Sequence, residues 1–319
     1  MGIISNVINI ITFIAMGLAD GVTVSFLTLS FFDLTYVVVS FCLGITTILA
    51  TFEALTLIRF AVDPYGLSII LANTLIFIIV TNVQATTFIA VARCMCVVKP
   101  LHFKNTFTIS RTICFMTGFA IFAVAIYTPI LANMGMVTLL DNKINMSRPT
   151  LWLPRHREVI KNIIFVITDM LLPVSTEVIV VVCILLMANS LQASSRFRQI
   201  SNTQRSDKDN SSKALTFKDN SPATDRLSGK EYRVIIQVAL ISVVYIICNT
   251  PKILLSIAGL IEPEFRIGKA YNNFYLTLNC FRKHLEIINA TNNTFIYFKY
   301  NNKFRKTVLS RWRIISFTS

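Results

Sequence analysis

One aspartate, a set of asparagines and one arginine stand inside otherwise apolar stretches of this 319-residue chain. Ionisable groups at membrane depth are costly and face a protein interior or a water-filled cavity. Asp33 lies within Leu29-Ser30-Phe31-Phe32-Asp33-Leu34, and Asn6 within an apolar run that opens at Gly2. Asn82 precedes Arg93 by about three helical turns. Asn289 and Asn293 are one turn apart, so they share a helix face. One carboxylate and several amides at matching depth support two chemistries: a polar core holding water or a sodium ion, or hydrogen-bonded contacts between helices. Both stand at this point. Further along, Asp169, Lys252, Lys283 and Glu286 place more charge in apolar surroundings. Lys252 directly follows Pro251. It can receive an acidic group from outside or pair internally with Asp169, and the internal pair is the simpler reading.

Other chemistry has little support. His102, His156 and His284 are scattered over separate segments, with no clustered acid, nucleophile or metal set, so no enzyme is expected. The seven cysteines fall in or beside apolar stretches and read as free thiols rather than a disulfide framework. A net charge of +14 would suggest nucleic acid in a soluble protein. Here the basic residues flank apolar segments, which points to a basic face against lipid and to no nucleic-acid partner.

The elements that must carry these residues are membrane helices. More than half of the residues are apolar and only 14% are charged, against roughly 25% in soluble domains. Hydropathy and breakers predict an all-α membrane protein with seven spans at about 2–16, 22–48, 67–98, 111–131, 159–190, 232–260 and 270–298. The first is short for a span and has no basic leader, which suggests missing outer turns. Pro129, Pro173 and Pro251 fall within spans, where they mark kinks. Residues 190–230, rich in Ser, Asn, Asp, Lys and Arg, read as a disordered loop. The tail at 299–319 alternates basic and apolar residues with Trp312, as a short interfacial helix does. Most basic residues lie after the third, fifth and seventh spans, so those segments face the cytoplasm and the N-terminus lies outside, at the plasma membrane. Asn145-Met146-Ser147 then falls in an outer loop as a glycosylation acceptor. No internal repeat is visible, which disfavours a transporter built from duplicated halves.

Several motifs occur in register along the whole chain. They are Ile89-Ala90-Val91-Ala92-Arg93-Cys94-Met95, Leu171-Leu172-Pro173-Val174, Cys248-Asn249-Thr250-Pro251, Asn293-Thr294-Phe295-Ile296-Tyr297 and Lys303-Phe304-Arg305-Lys306. Together the chain resembles the rhodopsin-like (class A) G-protein-coupled receptors. Glu286-Ile287-Ile288-Asn289 followed by Asn293 to Lys299 is similar to divergent molluscan chemosensory and peptide-type members. The resemblance implies a seven-helix bundle with an amphipathic eighth helix. It implies a receptor for an extracellular small molecule or neuropeptide that signals to a heterotrimeric G protein. Arg93, Glu231, Tyr297, Asn293, Pro251, Asn249 and Pro173 would form the activation switch. Asp33, Asn82, Asn289 and Asn293 would form the polar core, with sodium as its only candidate cofactor. Leu75, Phe165, Asp169, Lys252, Ser256, Lys283 and Glu286 would line the ligand pocket.

The departures are specific. Ala92 replaces the acid before Arg93, leaving Glu231 as the carboxylate to restrain it. Asn249 replaces a tryptophan, and Thr294 a proline. Ser68 and the cysteine-free loop from Asn133 to Glu158 lack the family's outer disulfide, so that loop is expected to be less constrained. Leu75 disfavours an amine ligand and Ile287 disfavours retinal. These changes keep a rival open, a receptor-derived chain that no longer signals.

Overall fold

Backbone amides in an apolar surround must be paired within the chain, so long apolar runs fold as helices. The computed structural model follows that rule through α1 (Gly2–Met16), α2 (Gly21–Thr56), α3 (Pro64–Val98) and α4 (Ile109–Ala132). Next, α5 (Arg157–Phe165) passes through a π-helical stretch, Val166–Leu171, into α6 (Leu172–Lys208). Then come α7 (Gly229–Ile261), α8 (Asn272–Tyr300) and α9 (Asn302–Thr318). The structure describes residues 1–18, 20–56, 58–99, 103, 107–141, 146–154, 157–208, 229–265 and 268–318, with side chains throughout except at 140–141, 146, 158, 191–208, 229–235 and 312–318.

Five helices are long and apolar enough to cross a membrane: α2, α3, α4, the stretch from Val159 to Ser190, and α7 from Ile236. The apolar α1 has only 15 residues. In α8, which has 29 residues, Arg282, Lys283, His284 and Glu286 lie close together. The expectation of an all-α membrane protein is therefore met in a coarser form, as a helical chain with five membrane-length apolar helices. Large apolar side chains point outward from them. Phe31, Phe41, Ile48, Ile121, Val178, Ile247 and Leu254 are each more than half exposed. Such a surface is unfavourable in water and suits hydrocarbon.

Polar contacts between helices are specific. Asn6 of α1 is fully buried and its Nδ2 donates to the Ala290 carbonyl of α8 at 2.9 Å. Gly2 makes that approach feasible, since a Cβ there would lie 2.7 Å from Thr291 Oγ1. The buried core joins Tyr36, Leu75, Val83, Val180, Met187 and Tyr245 across α2, α3, α6 and α7. A second cluster joins Phe13, Phe26, Ile89, Tyr297 and Phe304.

Two sequence expectations need correction. The second helix runs eight residues past residue 48, to Thr56. Glu53 weakens the apolar signal there, but it is buried and paired, so the helix continues around it. The segment expected to be disordered from residue 190 continues as helix to Lys208. No glycine or proline occurs from Val174 to Ser221, and a helix once nucleated adds a hydrogen bond for each further residue. Residues 209–228 of that segment lie outside the described residues.

The loop between α4 and α5, for which no secondary structure was expected, is a β-hairpin. β1 (Gly135–Asp141) pairs antiparallel with β2 (Met146–Trp152), with Thr138 opposite Pro149 and Leu139 opposite Arg148. The Asp63 amide donates to the Pro149 carbonyl at 3.1 Å, and Gly66 leaves room for Leu151. Glu53 Oε1 lies 2.7 Å from Arg148 Nη1 on the hairpin and 2.6 Å from Arg59 Nη1. No cysteine is needed to tie this hairpin to the bundle. All seven cysteines are free thiols, as expected.

Candidate functional site

Three distant helices meet at Asp33. Asn82 Nδ2 of α3 donates to Asp33 Oδ1 at 3.0 Å, and Asn293 Nδ2 of α8 donates to Asp33 Oδ2 at 2.9 Å. The aspartate is 2% exposed. A cavity of about 40 Å³ adjoins it, lined also by Tyr36, Asn249, Glu286 and Asn289. That volume accommodates a few waters, each needing roughly 10–15 Å³. Among the described residues, Asn82 Oδ1 is buried with no hydrogen-bond partner. A carboxylate and an orphaned amide oxygen beside a cavity are the donor set a hard monovalent cation takes, so Asp33 and Asn82 fit sodium. Asp33, Asn82, Asn289 and Asn293 are thus brought together as the sequence expected.

A second layer of charge lies along the same bundle, nearer the hairpin. Asp169 sits in the π-helical stretch, where an extra residue per turn re-aims side chains. Its Oδ1 is 2.7 Å from Lys252 Nζ, and both residues are buried. The Lys252 ammonium is therefore committed to an internal pair, the simpler of its two expected uses. Glu286 is held from two sides: Tyr36 OH donates to its Oε2 at 2.7 Å, and Arg282 one turn earlier pairs with its Oε1. Thr250 Oγ1 donates to Glu177 Oε1 at 2.7 Å.

The remaining pocket candidates divide. Leu75 is buried in the core and Ser256 is buried in α7. Lys283 is half-buried. Phe165 is 37% exposed. It ends α5 just before the π-helical stretch, and that change of helical period turns its neighbours to a different face.

Around the bends, Thr176 Oγ1 and Tyr245 OH are 3.2 Å apart, and Asn249 Nδ2 donates to the same Tyr245 oxygen at 3.4 Å. Pro173 and Pro251 lie within a turn or two of this contact between α6 and α7. At the far end, Arg93 is half-buried, and its guanidinium carbon stands 5.7 Å from the centre of the Phe26 ring. Tyr297 is fully buried among Phe13, Phe26 and Phe304, and its hydroxyl has no partner among the described residues. The Glu231 side chain and Asn145 lie outside what is described, so the expected Arg93–Glu231 pair and the glycosylation acceptor have no structural account.

Sequence reasoning missed Tyr36, Arg282, Glu177, Tyr245 and Phe26. Arg282 carried a local signal, its four-residue spacing from Glu286, and Tyr245 another, its four-residue spacing from Asn249. The others act across helices. Among the described residues no group of three or more His, Cys, Asp or Glu side chains is placed to hold a metal ion. No protein-family model matches the chain, and no curated protein matches it.

Proposed function

We propose that the chain is a seven-helix receptor of the rhodopsin-like class, with no catalytic activity of its own. In this reading α1 and α8 span the membrane beside the five longer apolar helices, the N-terminus and hairpin face outside, and α9 lies on the cytoplasmic surface. An extracellular small molecule or peptide shifts an existing equilibrium between two helix packings. The inner end of α7 then moves outward, and a heterotrimeric G protein enters beside Arg93.

The observation that carries the reading is the junction at Asp33, reached from α3 and α8 across 49 and 260 residues of sequence. The resemblance requires that junction, and neither contact is local. The links between α6 and α7 at Thr176, Tyr245, Asp169 and Lys252 add to it, since they sit beside both prolines where the helices would shift.

Tags at both termini test the threading in intact and permeabilised cells. An N-terminal tag reached from outside and a C-terminal tag reached only after permeabilisation are expected. Both ends on one side would overturn the seven-span arrangement. For a chain that passes, stimulation of nucleotide exchange on a purified G protein separates a working receptor from one that no longer signals.

A further inference from the structure

Arg93 is half-buried and makes no direct ion pair among the described residues. The residue before it is Ala92. Among the described residues no carboxylate comes within ion-pair distance of it, although Asp20 and Cys96 attract it from nearby, and its Nε is buried without a hydrogen-bond partner. A guanidinium so placed should be mobile or drawn toward solvent. Instead it lies over an aromatic face, 5.7 Å from the Phe26 centroid, within the range in which a ring quadrupole attracts a cation.

The ring is itself immobilised. Phe26 is 3% exposed. Phe13 stacks on it at 5.9 Å between centroids, and Tyr297 meets it at 5.1 Å. Phe13 and Tyr297 both pack on Phe304 of α9, at 5.2 and 5.6 Å. Four rings from α1, α2, α8 and α9 thus form one body, and Arg93 of α3 rests on its edge. We propose that Phe26 is a positioning residue for Arg93: its face holds the guanidinium in the resting bundle, in place of the carboxylate that Ala92 lacks. This rests on the receptor reading for its role in signalling, and on geometry alone for the contact.

The arrangement couples two switch elements. Tyr297 touches the ring that holds Arg93, so a displacement of α8 at Tyr297 disturbs the Phe26 face. The Tyr297 hydroxyl, buried without a partner, gives that displacement a direction, toward any arrangement that satisfies it. Arg93 is released when the rings part.

The test separates ring shape from ring charge. Full-length protein in lipid nanodiscs would carry Phe26→Leu, Phe26→Trp or pentafluorophenylalanine at position 26, which keeps the shape and reverses the quadrupole. Ligand-free nucleotide exchange on a G protein is the first readout. Leucine and the fluorinated ring are expected to raise it about 5- to 30-fold, and tryptophan is expected to retain the restraint. Thermal unfolding of Phe26→Leu, Arg93→Gln and the double variant is the second readout. Non-additive effects indicate that the two side chains interact whether or not the chain signals. A fluorinated ring that behaves as phenylalanine, or an additive cycle, overturns the proposal. Coupling in the cycle without exchange in any variant upholds the contact and rejects the receptor reading instead.

Discussion

The hairpin half of the bundle and the Arg93 half solve the same problem differently. Toward the hairpin, buried carboxylates are paired with cations: Asp169 with Lys252, Glu286 with Arg282 and Tyr36, and Glu53 with Arg59 and Arg148, while the buried Arg157 contacts Asn73 and Met134. At the other end a single cation rests on a ring, and a tyrosine hydroxyl beside that ring has no partner. Paired charges fix geometry because breaking one pair strands the other member. An aromatic face holds a cation less tightly and less directionally. The paired half is therefore the rigid frame, and the ring-held half is the part built to change.

The comparison is broken most directly at Lys252. Lys252→Met leaves the Asp169 carboxylate buried alone and is expected to cost about 3–5 kcal/mol, read as a large fall in thermal unfolding temperature. Adding Asp169→Leu should recover most of it. A single variant as stable as wild type would mean that the hairpin half is not held by its pairs. If Lys252 meets the ligand instead, the double variant would lose every response to acidic ligands.

Next in size is Asp33→Asn, which replaces an acceptor of two amide donors with a group that must offer one of its own. A loss of about 1.5–3 kcal/mol is expected. Sodium chloride should raise the unfolding temperature of wild type more than potassium chloride does, and this preference should vanish in the variant. Equal effects of the two salts on wild type would reject the sodium site.

Glu53→Gln should cost roughly 2 kcal/mol, less than the Lys252 change because Arg59 is partly exposed and partly hydrated. Hydrogen exchange would show the effect confined to Gly135–Asp141 and Met146–Trp152. Exchange spreading through α2 instead would mean that Glu53 holds the helix and not the hairpin. The smallest effect belongs to Tyr297→Phe. It removes a hydroxyl without a partner and keeps the ring, so stability should hold or rise by up to about 1 kcal/mol. A fall larger than that would show the hydroxyl to be bonded and would weaken the contrast between the halves.

The polar core was legible because an aspartate or asparagine in an apolar run has few explanations. Asn6, Asp33, Asn82, Asn289 and Asn293 announce themselves by cost. The helix ends at Thr56 and Lys208 were not legible, because their polar residues read as loop until Glu53 is seen to be paired or the helix is seen to continue. The hairpin stayed hidden for a related reason. Its main tether joins Glu53 to Arg148 across 95 residues, and no local pattern marks such a match. Phe26 is one of 24 phenylalanines, and only its place beneath Arg93 distinguishes it. The π-helical stretch that begins after Phe165 was not legible either, since a continuous α-helical period cannot foresee it.

The hairpin tether has a consequence in time. A lid fastened by a disulfide stays fastened until chemistry cuts it. This one is fastened by a carboxylate shared between two guanidinium groups and by backbone contacts at Asp63. It opens only when the carboxylate parts from both guanidinium groups, and it reseats with no covalent bond made or broken. Reducing agents should leave its motion untouched, while added salt should quicken it.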